Sequence, residues 1–284
     1  MSVSQPSLWD NVSLENGYRH FSALALPEAI KEFNGALHLG KEDQESIHAA
    51  INACRYWQPR IQPAPDTTAS TGTGTSPRSI LADYIQYPFT PKMMAFRKAL
   101  LRRISHLLRD GGDLDFKTIE IVFDQLLSIR DYEKAKELIA QSIEAHPEVH
   151  QLPYLLAQAY WLNGDRPGAR RYYAMALLQH PYEAPVNRMD PDGLKEIIQN
   201  YGPAKAPAYG WIHDILPLIP VTDDLKVLDE EHRQALESYA LLLEVQKSLS
   251  GGDKKESIRS RKKLKRKDAV LFEAYFNRRI KRHL

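Results

Sequence analysis

Two stretches of this chain fall into register when one is shifted by 34 positions. Residues 123–147, FDQLLSIRDYEKAKELIAQSIEAHP, lie over residues 157–181, AQAYWLNGDRPGARRYYAMALLQHP. His146-Pro147 falls on His180-Pro181, Ala135 on Ala169, Asp131 on Asp165, Ile139 on Tyr173 and Phe123 on Ala157. A fixed period of this length marks a helical repeat, in which each unit is a hairpin of two helices. One hairpin cannot bury its apolar face alone, so neighbouring hairpins must cover it. The expected fold class is therefore all-α, built from local connections.

The second copy shows how the local rules build the hinge. Gly164 accepts the left-handed conformation that ends a helix, Asp165 can cap the next one, and Pro167 suits a first turn whose N–H needs no helical partner. Ala157 and Ala169 let two helices approach closely, while Tyr160 and Tyr173 fill the groove beside them. With Ala176 and Pro181, these residues resemble the tetratricopeptide repeat. In the first copy Ala135 and Pro147 hold, whereas Phe123, Leu126, Ile139 and Ser142 depart from the pattern, and Phe123 makes the closest helix contact bulkier. A third copy stands near the N-terminus, where Gly17, Ala29, Phe33 and Ala36 repeat the same intervals around a hinge LALPEA. The resemblance covers about residues 10–43 and 116–181. It implies antiparallel helix hairpins stacked as a tetratricopeptide-like superhelical solenoid.

Around these copies the chain divides by composition. Residues 1–57 read as an N-terminal helical unit, closing with a helix over 44–57 that carries Ile47, Ile51 and Cys54 on one stripe. Residues 58–91 are expected to be a Pro/Ser/Thr/Gly-rich linker or long loop. Residues 92–200 hold the clear repeats, opened by an amphipathic helix with Met94, Leu101, Ile104 and Leu108 and stopped by RDGGD at 109–113. Residues 201–284 begin irregularly: 200–220, rich in Pro and aromatics, is expected to wrap the last repeat. A helix follows over 223–249, and then a basic tail with Val270, Leu271, Ala274 and Tyr275 on one side. A repeat end without a capping helix leaves room for a second copy, so a homo-oligomer is an open expectation.

Hydrophobic residues make up 43% of the 284, enough for a substantial core. The longest apolar stretches fall far short of the roughly 20 residues that span a bilayer. The N-terminal stretch has neither a basic nor an apolar region of the secretory kind, and Cys54 is the lone cysteine. Both features point to a cytoplasmic protein. The net charge of +2 is unevenly spread, because residues 253–284 hold 13 Lys and Arg against 4 Asp and Glu.

No catalytic, metal or cofactor signature is expected, and the reading is of a protein that is not an enzyme. STGTGTS at 70–76 lacks the preceding strand and the following Lys-Ser or Lys-Thr of a phosphate loop. DPDG at 190–193 resembles the start of a calcium loop, yet the twelfth position is Tyr201. HPEVH at 146–150 has the wrong order for a zinc protease, and Pro147 opposes the helix such a motif needs. One cysteine precludes a Cys/His cluster, no Gly-x-Ser-x-Gly elbow occurs, and Cys54 reads as a small core residue.

By the resemblance, the first helix of each pair lines a concave groove. The inner positions would be Lys117, Glu120, Asp124 and Ser128 in the first copy, and Gln151, Tyr154, Gln158 and Trp161 in the second. Such a groove takes a peptide or partner protein. Family members that clamp a chaperone's terminal carboxylate use Lys and Asn where Glu120 and Asp124 stand here, which argues against that clamp. The competing reading has Tyr154 and Trp161 contacting a neighbouring helix or the 200–220 segment. The alternative function is nucleic-acid binding through Lys254, Lys255, Arg259, Arg261, Lys262, Lys263, Lys265, Arg266 and Lys267. Against it stand the bland reading of a solvated face and the absence of interleaved aromatics to stack on bases.

Overall fold

A computed structural model describes residues 8–38, 44–61, 76–112, 114–189, 193–221, 225–251 and 254–280, and among these residues the fold is all-α, without a strand. The chain splits into two compact units, Met1–Lys134 and Ala135–Leu284.

The first unit holds α1 (Leu8–Ser22), α2 (Leu26–His38), α3 (Gln44–Ile61), α4 (Pro77–Gln86), α5 (Met94–Asp110), α6 (Phe116–Ser128) and the start of α7 (Tyr132–Ala145). Consecutive helices pack on one another, α1 on α2, α2 on α3, α4 on α5 and α5 on α6. The hairpin expected from Gly17, Ala29, Phe33 and Ala36 is formed by α1 and α2, with Ala29, Phe33 and Ala36 wholly buried. Phe21 extends this packing by stacking on Phe96 of α5 at 3.9 Å between ring centroids. The stripe Ile47, Ile51 and Cys54 of α3 is buried, and burial pushes the Cys54 thiol up to about 12. Asp131, just before α7, is 3% exposed and pairs with Arg102 at 2.8 Å and Lys98 at 3.3 Å on α5.

Part of the expected linker over 58–91 is helical. Helix α3 runs on through Pro59 to Ile61, and α4 begins where Ser76 accepts the Ser79 N–H at 3.2 Å ahead of Pro77. A Ser-Pro pair is a helix start as well as a loop signal, since Ser caps and Pro fits the first turn. Residues 62–75, with most of the STGTGTS run, lie outside the described residues, as do 190–192 of DPDG.

The second unit contains the rest of α7, α8 (Leu152–Leu162), α9 (Arg166–Gln179), α10 (Leu194–Tyr201), α11 (Ala206–Ile212), α12 (Glu230–Ser250), α13 (Lys254–Lys267) and α14 (Ala269–Tyr275), followed by a π-helical turn, Phe276–Ile280. The hinge between α8 and α9 follows the local rules. Gly164 has φ +88, and Asp165 accepts the Gly168 N–H at 2.9 Å in the first turn of α9. Ala157 of α8 and Ala169, Tyr173 and Ala176 of α9 are buried, and the two helices pack on each other.

The 200–220 segment is more regular than expected, because residues 206–212 form α11. Pro207 falls in its first turn, where the missing N–H costs nothing. Almost all of α11 is buried, and it packs on α9, α12 and α14, so Tyr209 and Ile212 share a core with Tyr173 and Leu242. Residues 215–221 then run as a strap without regular structure. The Tyr239 hydroxyl of α12 fixes it, accepting the Ile219 N–H at 2.8 Å and donating to the Ile219 carbonyl at 3.1 Å. Helix α12 begins at Glu230, later than the expected 223, because Asp229 caps it by accepting the His232 N–H at 2.7 Å. Helices α12 and α13 form an antiparallel hairpin, stitched by Lys263 to Glu244 at 3.4 Å and by Lys267 to Glu237.

Candidate functional site

The eight residues expected to line a groove fall in different units. On α6 of the first unit, Lys117, Asp124 and Ser128 are exposed and Glu120 is half-buried. Ser128 donates to the Gln125 carbonyl at 2.7 Å and accepts from Arg97 at 3.4 Å. The same guanidinium also reaches Gln125 Oε1 and lies over the Phe89 ring, 5.4 Å from its centroid, so Arg97 is held as part of this surface.

On α8 of the second unit the expectation needs correction at Tyr154. Its side chain is 1% exposed and its hydroxyl donates to the His180 carbonyl at 2.7 Å. Burial holds the Tyr154 hydroxyl well above the ordinary phenol range, with the charge of Glu183 adding to the effect. Tyr154 thus belongs to the core of the α8–α9 hairpin and offers no ring to a ligand. Around it, Gln151 donates to Glu183 at 2.6 Å, and His150 stacks on His180 with 3.6 Å between ring centroids. His146 Nδ1 stands 3.5 Å from Glu148 Oε1. Gln158 and Trp161 remain half-buried.

Trp161 leads to a feature that periodicity did not reveal. The Arg166 guanidinium lies over its ring, 5.0 Å from the centroid. From there a cleft of about 430 Å³ opens between the first turns of α9 and the strap, lined by Arg166, Pro167, Arg170, Asp214, Leu216 and Pro217. Arg170 Nη1 reaches the Asp214 carbonyl at 3.5 Å, and its Nε is buried without a protein acceptor. Asp214 sits at φ +63, a left-handed conformation that Asp tolerates better than most residues. Leu216 is held against Gly210, where a Cβ would stand 2.8 Å from Leu216 Cδ1. Only a glycine at 210 lets the strap lie this close to α11. The cleft joins two guanidinium groups, apolar walls and one carboxylate, which suits recognition of a polar group attached to an apolar one. Arg170 and Asp214 lie 44 residues apart in sequence, so no local pattern announced their meeting.

The basic run is an ordered helix, α13, and not a tail. Ser257, Ser260 and Leu264 are buried on its inner side. Lys263 and Lys267 are paired with α12 carboxylates, and Lys265 lies over the Phe272 ring at 5.7 Å. Lys255, Arg259, Lys262 and Arg266 are exposed, and Arg261 is half-buried. The side chain of Lys254 lies outside the described residues.

Among the described residues no group of three His, Cys, Asp or Glu side chains is placed to hold a metal ion, and no helix is long and apolar enough to cross a membrane. No family model, no curated protein and no solved structure matches this chain. The class that its own geometry defines is an all-α protein of consecutively packed helices.

Proposed function

We propose that this protein is a non-enzymatic scaffold of tetratricopeptide-like hairpins that holds a peptide or partner protein on its α8–α9 hairpin. The observation that carries the reading is the cleft beside Trp161, where Arg166, Arg170, Leu216 and Pro217 combine a cationic edge with an apolar wall. Its size falls within the range of sites that bury small ligands or a few residues of a peptide. Gln151, Gln158 and Trp161 are half-buried positions of α8, and Lys117, Asp124 and Ser128 are exposed positions of α6 in the first unit.

Affinity capture tests this reading, using the full chain beside a Gln158→Ala/Trp161→Ala variant after nuclease treatment. The expected result is a partner protein that survives nuclease, disappears with the variant and binds the purified full chain directly. A second reading rests on Arg259, Lys262 and Arg266, three exposed cations on one ordered helix. It has the protein binding nucleic acid there, with an affinity that falls steeply as salt rises. Recovery of nucleic acid lost with Arg259→Glu/Lys262→Glu/Arg266→Glu, and indifferent to the α8 variant, would replace the scaffold reading with this one.

A further inference from the structure

We infer that the segment held in the α9 cleft carries a single carboxylate side chain beside an apolar residue, with Arg166 and Arg170 receiving the carboxylate and Leu216 and Pro217 its neighbour. This rests on the reading of the α8–α9 hairpin as a peptide site.

Arg166 and Arg170 stand four apart on α9, so their side chains share one face of the helix. Like charges at that spacing repel, and the repulsion is relieved when an anion sits between them. Neither guanidinium has a carboxylate partner among the described residues. The Arg166 guanidinium lies over the Trp161 ring, while that of Arg170 reaches the Asp214 carbonyl at the long distance of 3.5 Å. The Arg170 Nε is buried and has no protein acceptor, so its side chain must turn towards the cleft for an incoming oxygen to satisfy this donor. The guanidinium fork matches the two oxygens of a carboxylate, and Trp161 keeps one fork flat and in place.

The other walls narrow the ligand further. Pro167, Leu216 and Pro217 are apolar, and the phosphate backbone of a nucleic acid offers nothing to bury against them. A peptide with Asp or Glu next to Leu, Ile, Val or Phe satisfies each of these surfaces.

Random heptapeptides displayed on phage and panned against the full chain test the inference. Enriched peptides are then synthesised, and their binding is measured by fluorescence anisotropy. Enrichment of an acidic residue beside an apolar one is expected. Arg166→Gln and Arg170→Gln should each weaken binding about tenfold. Replacing the peptide's acid by its amide should cost at least as much on the wild type and nothing further on an Arg166→Gln/Arg170→Gln variant. Unfolding temperatures equal to wild type exclude a folding defect, and a peptide with Lys in place of the acid should bind Arg170→Glu better than it binds the wild type. Peptides that depend on Trp161 and Leu216 without enrichment in acids would overturn the carboxylate assignment and leave the peptide site standing. Tighter binding of a phosphoserine version would overturn it as well. Binding indifferent to all of these side chains, or no selected peptide at all, would overturn both readings.

Discussion

The ring of Phe33 fills the space into which any side chain at Gly17 would grow: a Cβ there would stand 2.6 Å from its Cδ1 and Cε1 atoms. Replacing a glycine inside a helix by alanine ordinarily gains up to ~1 kcal/mol. Here the gain is outweighed, because Phe33 is wholly buried and hemmed in by Tyr18 and Phe21, whose rings meet it edge-on at 5.1 and 6.0 Å. Gly17→Ala is expected to lower stability by roughly 1–2 kcal/mol through overpacking. Gly35→Ala is the control, since a Cβ there meets only Ser13 Oγ at 3.9 Å, and it should leave the melting temperature unchanged or raised.

Tyr154→Phe removes the bond to the His180 carbonyl and should cost about 1 kcal/mol in urea unfolding. Tyr154→Ala opens a cavity in the hairpin core and should cost roughly 3–5 kcal/mol. A Tyr154→Ala protein of normal stability that loses partner capture would return this residue to the binding surface.

The Tyr239 hydroxyl holds both polar groups of Ile219. Tyr239→Phe leaves them unpaired, at a cost of roughly 1–3 kcal/mol. Hydrogen exchange of the Ile219 amide should speed up while the amides within α9 keep their protection. Unchanged exchange at 219 would mean that the strap is fixed by other contacts.

Stability should depend on pH through His180. Burial pulls its pKa below the ordinary 6.5, and the stacked His150 adds to the shift, with Glu183 opposing it and His232 and Lys226 reinforcing it. His213 is shifted the same way, by burial and then by Arg278. The unfolded chain therefore takes up protons that the folded protein resists. Stability is full above about 6.5 and declines as pH falls below it towards the folded pKa values. Melting temperature should drop between pH 7.5 and 5.5, and less so in His180→Gln. A melting temperature that rises over this interval would contradict the assignment.

The hairpins were legible because their signals are local. Gly164, Asp165 and Pro167 specify a hinge within four residues, and Gly17, Ala29, Phe33 and Ala36 specify a helix contact through residue size. Helix α11 was hidden because Pro207 and its aromatic neighbours also describe a loop, and only burial on three other helices decides between the two. The competing reading of Tyr154 as a core residue could not be resolved from periodicity, since one face of a helix looks the same whether a ligand or a neighbouring helix covers it. The cleft had no signature at all, because α9 and the strap that form it are joined only by tertiary packing. The basic run was visible as charge, but its pairing with Glu237 and Glu244 depends on the α12–α13 hairpin.

Cys54 gives the first unit a built-in clock. Its thiol is wholly buried, and burial pushes its pKa up to about 12, so the folded protein presents almost no thiolate to an alkylating reagent. Each labelling event therefore records one opening of α3 from its neighbours. Because this is the chain's lone cysteine, the labelling rate follows the breathing of the first unit with no engineered probe and no signal from the second.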